Sequence, residues 1–440
     1  MDKLERNAIE IVRTLKKAGF ETYYAGGCVR DMVMGHKPID YDIATNAPPD
    51  EVVKLFARTA EVGARFGVVL VIMDGKPFEV ATFRSESSYT DGRRPDSVEF
   101  TTPEKDVQRR DFTVNGLLYD PLEEKTLDFV DGVRDIKAGV IRTIGDPYQR
   151  FSEDKLRMIR AVRFAARFGF EIEPATFDGI RKNNSKILQV SWERIGEELT
   201  KILIGPNPDV ALELLKETGL LEQILPEVQN MIGVSQPEEF HPEGDVFEHT
   251  KLALKLMKEP NEITAFALLL HDVGKPLTYE ERDRIRFHNH DVVGARMAED
   301  ICQRLKFSNH RRKKIVFCIA NHMRMMHAPK MRESKLKKLL RQETFPEELE
   351  LHRLDCLASH KNLDVYEFLK HQYENMPEEV MQPPPLIDGD DLIALGFGPG
   401  PIFKEILSQV EELQLENQLT TKKQALKWVQ KNYPASNEAP

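Results

Sequence analysis

The sequence predicts an α+β chain: a small mixed-sheet head followed by helices to the end. Three observations carry this expectation. Segments rich in β-formers and punctuated by Gly and Pro, "ETYYAGG", "DYDIAT", "FGVVLVIMDG" and "PFEVATFR", are confined to residues 1–145, where they accompany one helical pattern. From Ser152 onward strand signals largely vanish and long helical periodicities dominate. A length of 440 residues also exceeds what one hydrophobic core organises, so domains in series are expected.

The first element, "MDKLERNAIEIVRTLKKAGF", reads as a polar amphipathic helix without the charged-then-apolar signature of a cleaved leader, so a cytoplasmic location is expected. No apolar run approaches the roughly 18 residues that a membrane span needs, and none is expected. Cysteines at 28, 302, 318 and 356 form no CxxC pair, which argues for reduced structural thiols over a disulfide framework or thiolate zinc site. The net charge of −10 argues against a surface that coats nucleic acid throughout but leaves room for local basic patches.

Next comes "GGCVRDMVMGHKPIDYDIAT", residues 26–45. If "IDYDI" is extended, Asp40 and Asp42 point the same way, because strand side chains alternate faces. The pair is either a divalent-metal clamp, since Mg²⁺ prefers carboxylates together with substrate phosphates, or the wet face of an ordinary strand. Gly26 and Gly27 allow backbone N–H groups close to a triphosphate, and Arg30 supplies a neutralising guanidinium; alone, the glycines also read as a tight turn. Glu79, in "PFEVATFR", is either a third carboxylate facing the metals or one half of a structural ion pair.

Together "GGCVRD", "DYD" and "RRDFTVNGLLYD" (109–120) resemble the class II tRNA nucleotidyltransferases, the CCA-adding enzymes and bacterial poly(A) polymerases of the polymerase-β superfamily. The resemblance covers about residues 20–205 and implies a nucleotidyltransferase head with Mg²⁺ on Asp40 and Asp42. It also implies that Gly27, Arg30 and Arg110 lie near the phosphates and sugar of an incoming nucleotide. Gly116 stands where the family usually shows Ala, a change expected to be harmless. "RSESSYTDGRRPDSVEF" (84–100) resembles the full loop of members that add the terminal A, and "VGARFGVVLV" resembles CCA-adding more than poly(A) enzymes.

"SEDKLRMIRAVRFAARFGF" reads as a helix starting at a Ser152 N-cap, with acidic residues in its first turn. At about 100° per residue, Asp154 and Arg157 lie close on one side and Arg160, Arg163 and Arg167 on another. An Asp154–Arg157 intrahelical pair is one reading. The resemblance implies another: Asp154 and Arg157 read the Watson–Crick edge of CTP or ATP in place of a template, and Arg160 and Arg163 bind the nucleotide. "SWERIGEELTKIL" (191–203) resembles the supporting motif.

Further along, "DVFEHTKLAL", "LLLHDVGKP", "RIRFHNHDVVGA", "NHMRMMH" and "LHRLDCLASH" supply His249, His271, Asp272, His290, His322 and Asp355. A His-Asp pair after four apolar residues needs a partner when buried, and a metal is one. The order H, HD, H, H, D resembles the HD phosphohydrolases across about residues 240–360. It implies a divalent metal (Mg, Mn, Ni or Fe) on His249, His271, Asp272 and Asp355, with His290 and His322 completing a binuclear site; a degenerate, structural HD fold is the other reading. The basic runs "RRKK" and "KMRESKLKKLLR" read as solvated helix faces or RNA contacts. The tail, with "GFGPGP" before an amphipathic helix, resembles the tRNA-binding tail of bacterial members; the glycines either seat a phosphate or cap the helix.

Boundaries are expected at "GDPYQRFS", "NMIGVSQPEEFHPEGD" and the stiff "MPEEVMQPPPLIDGD". They give a head (1–145), a helical neck (146–235), an HD body (236–375) and a helical tail (376–440). The function expected is CMP and AMP addition to tRNA 3′ ends from CTP and ATP, with phosphohydrolysis in the HD domain. The alternatives are A addition alone, poly(A) polymerisation, or an HD phosphohydrolase with an RNA-binding head.

Overall fold

The computed structural model describes residues 1–60, 67–87, 97–237, 239, 241–242 and 244–433. The chain divides into two compact units, Met1–Gln229 with Arg304–Phe307, and Asn230–Gln303 with Ser308–Pro440. In the first unit the helix Lys3–Lys17 begins where the Asp2 carboxylate accepts from Glu5 N at 2.8 Å, and it buries Ala8, Ile11, Val12 and Leu15 at helical spacing.

Nine strands follow: β1 (Thr22–Ala25), β2 (Ile43–Thr45), β3 (Thr59–Ala60), β4 (Val68–Met73), β5 (Lys76–Thr82), β6 (Arg84–Ser87), β7 (Ser97–Phe100), β8 (Leu117–Asp120) and β9 (Lys125–Asp128). Seven form one sheet in the order β3-β4-β5-β2-β1-β8-β9; only β2 and β5 run parallel, so the sheet is mixed, as expected. Strands β6 and β7 pair separately. The segment between them, 88–96, carries most of the A-addition loop and lies outside the described residues, as do 62–66 of "VGARFGVVLV".

The helix expected from Ser152 is broken in two. Ser152 sits inside the helix Pro147–Glu153, capped by Asp146, and a second helix runs from Arg157 to Phe168. Asp154 caps the break through Leu156 N at 3.1 Å, so the acidic residues read as a first turn form a corner instead. The helices Pro174–Asn183 and Trp192–Leu203 pack nearby, and a short parallel pairing of Val140–Ile141 with Glu171–Ile172 adds β structure where none was expected.

The second unit surrounds the helix Glu262–Leu270, which is buried from Thr264 to Leu270, with the helices Val246–Lys255, Asn309–Asn321 and Phe345–Ala358. A small hairpin, Tyr279–Glu281 with Ile285–Phe287, precedes the helix starting at His290. Much of the charge in the basic runs is spent internally. Arg312 meets Glu299, Lys314 meets Glu343, Arg341 meets Glu411, and Lys337 is buried between Glu333 and the Leu415 carbonyl. The tail packs a core of its own from Ile387, Leu392, Ile406, Val410, Leu419, Ala425 and Val429. All four cysteines are buried and free. No helix among the described residues is long and apolar enough to cross a membrane.

Candidate active site and metal centre

Antiparallel pairing of β1 with both β2 and β8 sets the end of β1 beside the starts of its two neighbours. Ala25 N donates to Asp42 O at 2.9 Å, and Gly26 N donates to Leu117 O at 3.0 Å. Three motifs remote in sequence thus meet at one sheet edge. Gly26 turns the chain at φ 71°, where a Cβ would stand 2.9 Å from Arg110 Nη1. Gly27 opens the helix Gly27–Val33, and a Cβ there would meet nothing nearer than Arg30 Nη2 at 3.6 Å. The need for glycine falls on Gly26.

Asp40 and Asp42 do not lie in a strand as expected, because β2 begins at Ile43. The shared face survives: Tyr41 is buried against Tyr24, ring centroids 5.0 Å apart, while both aspartates open to the same cavity. Burial, with Asp40 and Glu79 nearby, pushes the Asp42 carboxyl up to about 6 against the pull of Arg110. Glu79 reaches this neighbourhood because Val80 pairs with Ile43, but it stands outside the cavity wall. Adjacent hard oxygens that repel one another fit a divalent cation such as Mg²⁺.

The cavity, about 840 Å³, is lined by Gly27, Arg30, Asp40, Asp42, Arg110, Asp154, Arg157, Arg160 and Arg163, so of the head and neck residues considered for metal or nucleotide binding Glu79 alone is left out. The two sides assigned to the arginine helix are therefore one wall. Its guanidinium groups are held in place by neighbours. Arg30, buried, donates to Asn115 Oδ1 at 2.6 Å and to Asp31 at 2.6 and 2.9 Å, with its charge 4.5 Å from the Phe168 ring centre. Asp106 holds Arg109 and Arg110 at 2.7 and 3.1 Å. Arg160 donates to Asp111 at 2.9 and 2.5 Å, and Arg163 donates to Glu198 at 2.6 Å while lying over Phe164. Burial would raise the Asp111 carboxyl, but Arg160 and hydrogen bonds from Asn115 and Phe112 N outweigh it and hold it down to about 2.

The expected Asp154–Arg157 pair gives way to other partners. Asp154 accepts from Arg194 Nη2 at 3.1 and 3.4 Å, whereas Arg157 donates to Glu153 and the Arg150 carbonyl, each at 3.0 Å, and to the Arg109 carbonyl at 3.2 Å. Sequence reasoning missed Asp106, Asp111, Asn115, Arg194 and Glu198. The first three lie in or beside "RRDFTVN", where the signal was present, and the last two lie in "WERIGEEL".

In the second unit the six HD residues form two sets: His249, His271 and Asp355, and Asp272, His290 and His322. His271, His290 and His322 each bond a backbone carbonyl through Nδ1, at 2.8, 2.9 and 2.7 Å. A carbonyl only accepts, so Nδ1 carries the proton and a neutral ring turns its Nε2 lone pair inward. His290 Nε2 and His322 Nε2 face each other at 3.1 Å, and the buried His271 Nε2 has no hydrogen-bond partner among the described residues although Asp272 Oδ2 lies 3.2 Å away. Burial, with His271 beside it, pulls His322 down to about 4, which keeps it neutral. Burial opposes ionisation of Asp272, but His271 and Lys275 keep it well below the usual carboxylate range. Converging lone pairs and anionic oxygens fit divalent metal, and the short His271–His322 ring separation of 5.5 Å brings the two sets side by side.

The fold and the two sites define a nucleotidyltransferase-type head continued by helices, and a second, helical unit whose HD-type residues could hold a divalent metal. Three families match accordingly: "Poly A polymerase head domain" over residues 22–142, "Probable RNA and SrmB- binding site of polymerase A" over 169–232, and "HD domain" over 246–359. The chain is 43% identical over 216 residues to the CCA-adding enzyme of Ligilactobacillus salivarius, covering 49% of this chain and 53% of that one. It is 43% identical over 225 residues to that of Bacillus subtilis, covering 51% and 56%. The matches thus span about half the length of these curated relatives. A crystal structure of the Bacillus stearothermophilus CCA-adding enzyme in complex with CTP superposes with a TM-score of 0.76 at 26% identity, covering 98% of each chain. The chain is thus similar to CCA-adding enzymes over about half its sequence and, in fold, over nearly its whole length, and it carries segments that match the poly(A) polymerase head and HD families.

Proposed function

We propose that the chain is a CCA tRNA nucleotidyltransferase, which adds CMP and AMP to tRNA by attack of the terminal 3′-hydroxyl on the α-phosphate of CTP or ATP. The observation that carries this reading is the single cavity in which two carboxylates, a glycine turn and a wall of braced guanidinium groups meet. Similarity along nearly the whole chain to an enzyme crystallised with CTP supports it. Gly27, Arg30, Arg110, Arg160 and Arg163 receive the triphosphate and sugar. Because the four guanidinium groups are already braced, little ordering is left for binding to do. Asp154 accepts from the exocyclic amino group that C and A share, and Arg157 donates to the neighbouring ring nitrogen. Asp40 and Asp42 are the residues that would hold Mg²⁺. Mg²⁺ held there would supply a Lewis acid that lowers the pKa of the attacking hydroxyl and stabilises charge on the departing pyrophosphate. The roles follow a head, neck, HD body and tail with limits near residues 145, 235 and 375.

The test is incubation of the full chain with tRNAs ending in the discriminator base, C or CC, with one labelled nucleotide at a time. Incorporation of C on the first two and A on the third supports the reading. Extension of the CC-ending tRNA alone reduces it to A addition, unlimited A incorporation points to a poly(A) polymerase, and no incorporation overturns it.

A second activity is favoured by the two inward-facing ligand sets. We infer that His249, His271, Asp272 and Asp355, with His290 and His322, hold a divalent metal pair for phosphoester hydrolysis, with RNA 2′,3′-cyclic phosphate as a candidate substrate. Metal analysis of the purified chain and hydrolysis of 2′,3′-cyclic AMP test it, and a chain that binds no metal sinks it.

A further inference from the structure

Asp154 and Arg157 are three residues apart and of opposite charge, a spacing at which helical side chains commonly neutralise each other. Such a pair would consume the acceptor and the donor that a nucleobase needs. The structure instead gives each its own anchor. Arg157 is held by the Glu153 carboxylate and the carbonyls of Arg150 and Arg109. Asp154 is held by one nitrogen of Arg194, which reaches both carboxylate oxygens, and by Leu156 N. Arg194 comes from a different helix, Trp192–Leu203, and lines the same cavity.

We propose that Arg194 is a positioning residue for base selection: it holds the Asp154 carboxylate away from Arg157, so that both present their hydrogen-bonding edges to the base. The role rests on the nucleotidyl-transfer reading above. Donors that already occupy Asp154 from the protein side fix the carboxylate as an acceptor in one orientation. Cytosine and adenine offer an amino donor beside a ring-nitrogen acceptor, whereas uracil and guanine offer a carbonyl acceptor beside an N–H donor. An Asp154 fixed as acceptor and an Arg157 fixed as donor match the first pair and oppose the second. Without Arg194 the carboxylate is free to swing onto Arg157, and the edge that reads the base is lost.

The experiment measures steady-state incorporation of CTP and UTP into tRNA ending in the discriminator base by the full chain, its Arg194→Met and its Arg194→Lys. For R194M the KM for CTP rises and the CTP-over-UTP preference in kcat/KM falls by about ten-fold or more, the scale of a lost charged hydrogen bond. R194K, which keeps the charge, recovers most of the preference, and thermal unfolding of both variants stays close to wild type. If R194M does not fold, Arg194→Gln carries the same test with a smaller expected loss of preference. A wild type that incorporates C, with a variant whose C-over-U ratio is unchanged, overturns the role of Arg194 alone. A wild type that incorporates nothing overturns the activity beneath it.

Discussion

Two adjacent glycines do different work, and substitution separates them. At Gly26 an added methyl would face both a left-handed backbone and Arg110 Nη1 at 2.9 Å, whereas at Gly27 the backbone is ordinary and the nearest atom, Arg30 Nη2 at 3.6 Å, is at normal contact distance. Gly26→Ala is expected to cost about 1–2 kcal/mol and to raise the nucleotide KM, because Arg110 must move. Gly27→Ala is expected to change unfolding little, which denaturant melts of the two variants check. Asp111 gives a residue-scale pH signature. Its folded carboxyl is held down to about 2 from an ordinary 3.8, so its stabilisation is present above about pH 5 and lost as pH falls toward 2. That contribution is on the order of 2 kcal/mol. Asp111→Asn should therefore lower the urea midpoint at pH 6 and converge with wild type near pH 2; parallel curves across that range would contradict the assignment.

At the scale of elements, the arginine helix Arg157–Phe168 is meaningful only with its neighbours. Arg163 depends on Glu198, itself buried in the helix Trp192–Leu203, so Glu198→Gln leaves a guanidinium facing a neutral amide in a mostly buried setting. The expected cost is about 3 kcal/mol in unfolding free energy, and a double-mutant cycle with Arg163→Met should recover part of it. Gly116 makes the same point in apolar terms. A methyl there would stand 2.7 Å from Val130 Cγ2 and 3.0 Å from Ile144 Cδ1, so the space an alanine would use is filled by its neighbours. The strands "ETYYA", "VVLVIM" and "PFEVAT" were legible in the sequence because β-branched and aromatic residues between Gly and Pro leave few other choices. Strand β8 was not read as one, because "LLYD" is short and sits directly after a turn. The cavity residues were legible because their motifs carry paired chemistry. Their braces were less so: Asp106 meets Arg109 and Arg110 within one helical turn, but Arg160 with Asp111, Arg163 with Glu198 and Arg194 with Asp154 join segments far apart in sequence, a pairing that no local pattern states. The helix start was misread for a related reason: Ser152 and Glu153 have capping chemistry, but Asp146 caps an earlier helix and Asp154 makes the corner.

At the scale of the molecule, the carboxylate-and-arginine cavity and the HD ligand sets are built wholly within different units, so neither borrows a residue from the other. The Asp40–Asp42 cavity has oxygen donors and a wall of guanidinium groups, which suits a polyphosphate; the HD sets have imidazole lone pairs and buried carboxylates, which suit a tightly held metal pair. Their losses should therefore be independent. Asp40→Ala is expected to abolish incorporation of C and A into tRNA while leaving bound metal and cyclic-phosphate hydrolysis in place. His271→Ala with Asp272→Ala is expected to do the reverse, removing metal from the purified chain and leaving incorporation within about two-fold of wild type, since additivity holds for sites that share no residues or partners. Burying a lone His290–His322 pair after that change also carries a stability cost, so melting of the second unit serves as the control for folding. If the HD variant folds, loses its metal and also loses nucleotide incorporation, the two sites are coupled, and the separation argued from their placement in different units fails.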